Sequence, residues 1–111
     1  AWVPGKVKYT AGWIQNGSRW WYRHQDGSYT TNGWEYINGQ WYYFDQSGWM
    51  VTGWLKLGNT WYYLTGSGAM ATGWINLGGT WYYLNGSGAM AANTWIGSCY
   101  VNSSGAWVPG A

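Results

Sequence analysis

Residues 53–72 read Gly53-Trp54-Leu55-Lys56-Leu57-Gly58-Asn59-Thr60-Trp61-Tyr62-Tyr63-Leu64-Thr65-Gly66-Ser67-Gly68-Ala69-Met70-Ala71-Thr72. The stretch that follows is a near-copy, and weaker copies precede it. Gly-Trp recurs at Gly12-Trp13, Gly33-Trp34, Gly53-Trp54 and Gly73-Trp74, at spacings of 21, 20 and 20 residues. Trp95 lies 21 residues further on, with Thr94 in place of the glycine. A second tryptophan follows the first by seven residues at Trp20, Trp41, Trp61 and Trp81. Two more aromatics follow each: Trp21-Tyr22, Tyr42-Tyr43, Tyr62-Tyr63 and Tyr82-Tyr83. Self-similarity at one short period marks a stack of small units rather than a single closed core.

Each unit reads as a β-hairpin. Asn38-Gly39 is a strong two-residue turn signal, because a type I′ turn needs positive φ at both positions. Gly17-Ser18, Gly58-Asn59 and Gly78-Gly79 fall at the same offset. A two-residue loop sets the register, so Trp34 is expected opposite Tyr43 and Tyr36 opposite Trp41. Alternation along the strands then puts Trp34, Tyr36, Trp41 and Tyr43 on one face. Glu35, Ile37, Gln40, Tyr42 and Phe44 take the other. The third unit sorts Trp54, Lys56, Trp61 and Tyr63 against Leu55, Leu57, Tyr62 and Leu64. The fourth sorts Trp74, Asn76, Trp81 and Tyr83 against Ile75, Leu77, Tyr82 and Leu84. A lone hairpin is marginal in water, so the aliphatic faces are expected to be buried between successive units. Gly48–Thr52, Gly68–Thr72 and Gly88–Ala92 are the expected links. Tyr22, Tyr43, Tyr63 and Tyr83, opposite the first Trp of their own hairpins, are expected to be core.

The composition narrows the function. The 111 residues include 13 Trp, 11 Tyr and 19 Gly, and only 7% are charged, against about 25% in an ordinary soluble domain. Such a chain is too aromatic and too weakly charged to be disordered. A net charge of +2 neutralises few phosphates, which argues against a nucleic-acid partner. No apolar run is long enough to make a transmembrane segment. Neither an initiator Met nor a signal-peptide pattern is present, which fits a mature fragment or an excised module. One His, one Cys and three carboxylates leave little for catalysis, for a cofactor or for a metal, and none of these is expected. His24 reads as part of a polar loop, and Asp26 and Asp45 as turn residues. Glu35 alternates onto the face away from Trp34. Cys99 cannot make an internal disulfide and reads as a small apolar residue.

The abundance of paired tryptophans has its own meaning. A chain one hairpin thick cannot hide two aromatic faces. Exposed aromatic clusters suit sugar rings or quaternary ammonium cations, the latter through cation–π attraction. Repeated weak sites on one chain bind a polymeric ligand tightly.

The pattern Gly-Trp-x6-Trp-Tyr-Tyr-x6-Met-x-Thr resembles the choline-binding, or cell-wall-binding, repeat. The run Trp21–Phe44 is similar to the opening repeats of the C-terminal modules of streptococcal autolysin amidases, and related modules occur in phage lysins. The resemblance implies an all-β solenoid, a left-handed superhelix of stacked hairpins. It also implies recognition of choline, or phosphocholine, on teichoic acid in cages built from two Trps of one repeat and a Tyr of the next. Carried onto this chain, the cages are Trp13, Trp20 and Tyr42; Trp34, Trp41 and Tyr62; and Trp54, Trp61 and Tyr82. A Met near each cage would be Met50, Met70 or Met90. Trp74 and Trp81 lack the expected Tyr, since Cys99 or Tyr100 stands there. Trp21 stands at a Tyr position without a matching Trp pair.

The organisation expected is a partial repeat or link over residues 1–12, four repeats at 13–33, 34–53, 54–73 and 74–93, and a capping unit at 94–111. Ala-Trp-Val-Pro-Gly occurs at the start and again at Ala106–Gly110, both times in link position. The resulting expectation is a non-catalytic module that anchors a secreted, cell-wall-associated protein or lytic enzyme of a Gram-positive bacterium or phage. Two alternatives stay open on the residues: a glucan- or oligosaccharide-binding repeat, and a structural stalk that self-associates, for instance as a homodimer through the last hairpin.

Overall fold

The computed structural model describes residues 9–111, so most of the expected link at 1–12 lies outside the described residues. Everything regular is antiparallel β. In chain order the strands are β1 (Gly12–Asn16), β2 (Arg19–Arg23), β3 (Gly33–Ile37), β4 (Gln40–Phe44), β5 (Gly53–Leu57), β6 (Thr60–Leu64), β7 (Gly73–Leu77), β8 (Thr80–Leu84), β9 (Thr94–Ile96), β10 (Cys99–Val101) and β11 (Trp107–Val108). They form four two-stranded hairpins and a three-stranded sheet in the order β11-β10-β9. No helix of the described residues is long and apolar enough to cross a membrane. The chain divides into two compact units, one ending at Val51 and one running from Thr52 to Ala111.

The register follows from the turns. Trp34 lies opposite Tyr43 and Tyr36 opposite Trp41. Trp54 is opposite Tyr63 and Trp74 opposite Tyr83. The turns themselves are of two kinds. Asn38-Gly39 and Gly78-Gly79 have positive φ at both residues, the type I′ pattern. At Gly17-Ser18, Gly58-Asn59 and Gly97-Ser98 only the glycine is left-handed, the type II′ pattern, which requires Gly only at the first position. Both kinds match the twist of the strands, so the register is the same throughout.

In the first unit, the Trp face of β1–β2 meets the opposite face of β3–β4. Trp13 stacks on Phe44 with ring centroids 5.8 Å apart and meets Tyr42 edge-on at 4.8 Å. Ile37 and Phe44 are buried. In the second unit Leu64, Leu84 and Val101 are fully buried. Leu64 and Leu84 stand on the face of their hairpins turned away from the Trp pair, and Val101 on the face turned away from Trp95 and Tyr100. Alternation therefore sorts aliphatic residues into the core and tryptophans to the rim.

The links have their own chemistry. Three of them begin with a residue whose side-chain oxygen caps the following turn. Asp45 accepts the N–H groups of Ser47 and Trp49, both at 2.9 Å. Asn85 accepts those of Ser87 and Ala89 at 2.9 and 3.0 Å. Asn102 does the same for Ser104 and Ala106 at 2.9 and 3.0 Å. These are Asx turns, which offer the backbone a local partner where the strand ends. Two of the links also carry a glycine at which a side chain would be strained. Gly88 and Gly105 have φ of +84° and +82°, and a Cβ on either would collide with the Sδ of Met70 or Met90. A methionine from one link thus lies on the bare glycine of the next.

The C-terminus departs from the expected plain link at Ala106–Gly110. Trp107 and Val108 form β11, paired with Val101 and Tyr100 of β10. Ala106 bridges to Tyr82 of β8. The last short hairpin thus gains a third strand, laid along the edge of β10.

Candidate functional site: the aromatic cages

The first Trp of each hairpin is held from behind. Trp13, Trp34, Trp54 and Trp74 meet Tyr22, Tyr43, Tyr63 and Tyr83 edge-on, with centroids 5.3, 5.1, 5.1 and 5.2 Å apart. Edge-to-face contact suits the ring quadrupoles and locks the indole. These four tyrosines back the indoles from the cross-strand position, but they are half-buried and not in the core where the sequence reading expects them.

The second Trp is presented differently. Trp41, Trp61 and Trp81 are 44%, 38% and 39% exposed, a large apolar area for solvent to wet. In the second unit Trp54 and Trp61 stand perpendicular, 6.2 Å apart. Tyr82 of the next hairpin closes a third side, 5.0 Å from Trp54. Together with Met90, Ser103 and Ser104 they line a cavity of about 430 Å³. No carboxylate lines it. The Lys56 ammonium lies 5.8 Å from the centroid of the Trp61 ring, so this indole already attracts a cation.

The first unit holds the same elements. Trp13 meets Tyr42, and the N–H of Met50 donates to the carbonyl of Trp20 at 2.7 Å. That bond is the counterpart of the one from Met90 to Trp61, at 2.8 Å. It lays each link methionine beside the second Trp. The methionine of the Trp54 cage is therefore Met90, while Met70 sits on Gly88. Trp34 and Trp41 belong to the first unit and Tyr62 to the second. Trp34 faces Tyr43, Trp41 tilts against Tyr36 at 5.1 Å, and Tyr62 lies opposite Leu55.

Trp74 and Trp81 do have a partner, which the spacing of Tyr-Tyr pairs did not reveal. They line a cavity of about 360 Å³ with Cys99 and Trp107. Trp21 also has company in its own unit. It meets Tyr29 edge-on at 5.4 Å and shares a small cavity of about 210 Å³ with Tyr29, Ser47 and Trp49. The Arg19 guanidinium lies 5.3 Å from the Trp49 ring.

His24 is more than a loop residue. Its Nε2 lies 2.9 Å from both Glu35 oxygens, an ion pair whenever the imidazole carries its second proton. Thr30 donates its hydroxyl to Glu35 at 2.7 Å, and Ser28 lies 2.9 Å from His24 Nδ1. The Ser28 hydroxyl in turn donates to Asp26 at 2.5 Å. That bond, then the Ser28 N–H, holds the Asp26 carboxyl below its ordinary value. The network ties the 24–30 loop to β3. Serine, histidine and carboxylate meet here, but the serine proton points to Asp26 instead of a histidine base, unlike a nucleophile. Among the described residues no group of three or more His, Cys, Asp or Glu side chains could hold a metal.

Comparison with known proteins agrees with this architecture. The family model of the choline-binding repeat matches residues 31–73 and 56–95. The structure of CbpJ from Streptococcus pneumoniae is 46% identical over 89% of this chain and 34% of its own, with a TM-score of 0.85. Choline-binding protein F from Streptococcus pneumoniae is 43% identical over 96% of this chain and 38% of its own, with a TM-score of 0.85. The multimodular pneumococcal cell-wall endolysin from phage Cp-1, solved with choline, is 42% identical over 97% of this chain and 33% of its own, with a TM-score of 0.74. The chain thus spans about a third of the length of these proteins. No curated protein matches. Tandem Gly-Trp hairpins, the pairing register and the family match place the chain in the choline-binding repeat family.

Proposed function

We propose that the chain is a binding module that holds the trimethylammonium group of choline on cell-wall teichoic acid, and so anchors a larger secreted protein or lytic enzyme to the wall. The observation that carries this is the Trp54–Trp61–Tyr82–Met90 cavity, whose aromatic walls come from two successive hairpins. Trp13, Trp20 and Tyr42, with Met50, serve the same purpose in the first unit.

The physics favours a quaternary ammonium. Its charge is spread over methyl groups and weakly hydrated, so it loses little on entering a cage without carboxylates. Three aromatic faces at about 0.5–2 kcal/mol each bring a single site into the millimolar range. Several such sites on one chain raise the affinity for a choline-decorated polymer far above that of one site. The serines at the rim of the Trp54 cavity provide hydroxyls for the alcohol or phosphate end of the ligand. A pyranose ring would also stack on indole. It needs flanking polar groups to meet its many hydroxyls, and here the hydroxyls of Ser103, Ser104 and Tyr82 stand among apolar walls with no carboxylate or amide side chain.

Tryptophan fluorescence titration tests the reading. Choline and tetramethylammonium are expected to give saturable changes in the millimolar range, and glucose and sodium chloride none. A response to glucose with none to choline would establish the sugar reading instead.

A further inference from the structure

We infer that Trp74, Trp81, Cys99 and Trp107 form a further quaternary-ammonium site, in which the third aromatic wall comes from the link position and not from the next hairpin. The inference rests on the proposed choline reading of the Trp54 cage and extends it to a site that lacks the tyrosine.

The argument is one of equivalent positions within the second unit. Tyr100 lies opposite Trp95 as Tyr83 lies opposite Trp74. Cys99 therefore occupies the place that Tyr82 occupies one repeat earlier. The link after β10 turns on Asn102 as the link after β8 turns on Asn85. Gly105 then corresponds to Gly88, Ala106 to Ala89 and Trp107 to Met90. The two non-tryptophan positions of the Trp54 cage are Tyr82 and Met90; here they are Cys99 and Trp107. An aromatic and a smaller sulfur side chain have exchanged places.

Geometry makes the exchange workable. Trp107 lies on β11, which pairs with β10, and Ala106 bridges to Tyr82 beside Trp81. The indole is thus carried to the cavity that Cys99 leaves open. The result is a cavity of about 360 Å³ lined by three indoles and a thiol. Trp81 and Trp107 are 39% and 36% exposed, so the mouth is open to a ligand. No hydroxyl or charged side chain lines it, whereas Ser103 and Ser104 line the Trp54 cavity. The site recognises the trimethylammonium group alone and does not discriminate choline from tetramethylammonium.

Cys99, the chain's single cysteine, reports on the site directly. The rate of Cys99 alkylation by N-ethylmaleimide is measured in tetramethylammonium chloride and in sodium chloride of equal ionic strength. Occupancy is expected to slow alkylation severalfold and saturably. Trp107→Ala is expected to abolish the protection and to lower by one the cholines bound per chain in equilibrium dialysis. Circular dichroism checks that the variant folds. Trp107→Phe, which keeps an aromatic wall on β11, is expected to retain the protection. Protection that survives in a folded Trp107→Ala chain reflects general stabilisation and overturns the inference. Choline-dependent fluorescence without any protection of Cys99 in the unmodified chain overturns it too, while leaving the proposed function standing. Absence of both signals removes the proposed function and this inference together.

Discussion

The two cavities of the second unit share a framework and differ in their closing residues. Both start from two tryptophans seven residues apart on one hairpin, with a tyrosine locking the first from behind. The Trp54 cage is closed by Tyr82 and Met90, with two serines at its rim. The Trp74 cavity is closed by Cys99 and Trp107, with no polar rim. The hairpin thus presents the Trp pair by its own alternation and register. What completes a site is whatever the next repeat brings opposite. The lining of a cavity can therefore differ from site to site without altering the hairpin.

The largest perturbation erases the comparison altogether. Leu84 is fully buried on the hairpin that carries Trp81 and Tyr82, one residue in each cavity. Leu84→Ala is expected to cost about 2–5 kcal/mol. Thermal unfolding should show a large fall in Tm, and choline titration a loss at both cavities.

A backbone substitution should come next. Gly105→Ala must adopt a left-handed φ of +82° against the Met90 sulfur. The expected cost is about 1–3 kcal/mol. Met90 lines the Trp54 cavity and not the Trp74 cavity, so binding at the former should weaken beyond what the loss of stability explains. Chemical denaturation set beside ligand titration separates the two effects.

Removing one wall sharpens the contrast further. Trp61→Ala is expected to weaken the Trp54 site by about 0.5–2 kcal/mol, roughly two- to thirtyfold. Its effect on stability should be small, because the side chain is 38% exposed. If Trp61→Ala instead destroys cooperative unfolding and leaves affinity unchanged in the folded fraction, Trp61 is core and not a wall. Tyr82→Cys goes to the heart of the comparison. It installs the Cys99 chemistry without a Trp107 to compensate, and should weaken the Trp54 site while Tyr82→Phe leaves it nearly intact.

The smallest effect lies in the first unit. The Asp26 carboxyl is held below its ordinary value by the Ser28 hydroxyl and N–H. The folded chain therefore keeps this proton off at a lower pH than the unfolded chain does. The stabilisation is complete above the ordinary carboxylate range and is lost as pH falls through the depressed value. Asp26→Asn should flatten a slight acid-side slope in Tm by lowering Tm slightly at neutral pH, where the stabilisation is complete, and least at acid pH, where it is already lost.

Legibility was uneven, for physical reasons. The strand pairs of Trp34 with Tyr43 and Trp74 with Tyr83 could be read because a two-residue turn leaves only one register. Burial of Phe44, Leu64 and Leu84 followed from alternation. The roles of Asp45 and Asp26 in turns followed from their short acceptor side chains. His24 reads as a loop residue in the sequence, because nothing local links it to Glu35, eleven residues away across a turn. Trp107 was read as part of a link, because a two-residue strand has no periodicity to detect. Only the positional match between Trp107 and Met90, seen once β11 is in place, points to its role.

The sequence by itself determined the repeat, the hairpins, their register and the face on which each Trp pair stands. All of these depend on residues within one turn or strand of one another, where φ preferences and alternation suffice. The family resemblance already implied Tyr82 for the Trp54 cage; the tertiary structure decided that Met90 lines it and that Trp107 lines the cavity of Trp74. Tyr82 and Met90 reach Trp54 from 28 and 36 residues away, and Trp107 reaches Trp74 from 33. Such contacts depend on how one hairpin and its link pack against the next. A glycine that leaves room for a methionine and an edge strand that carries an indole settle that packing, and neither has a local signature.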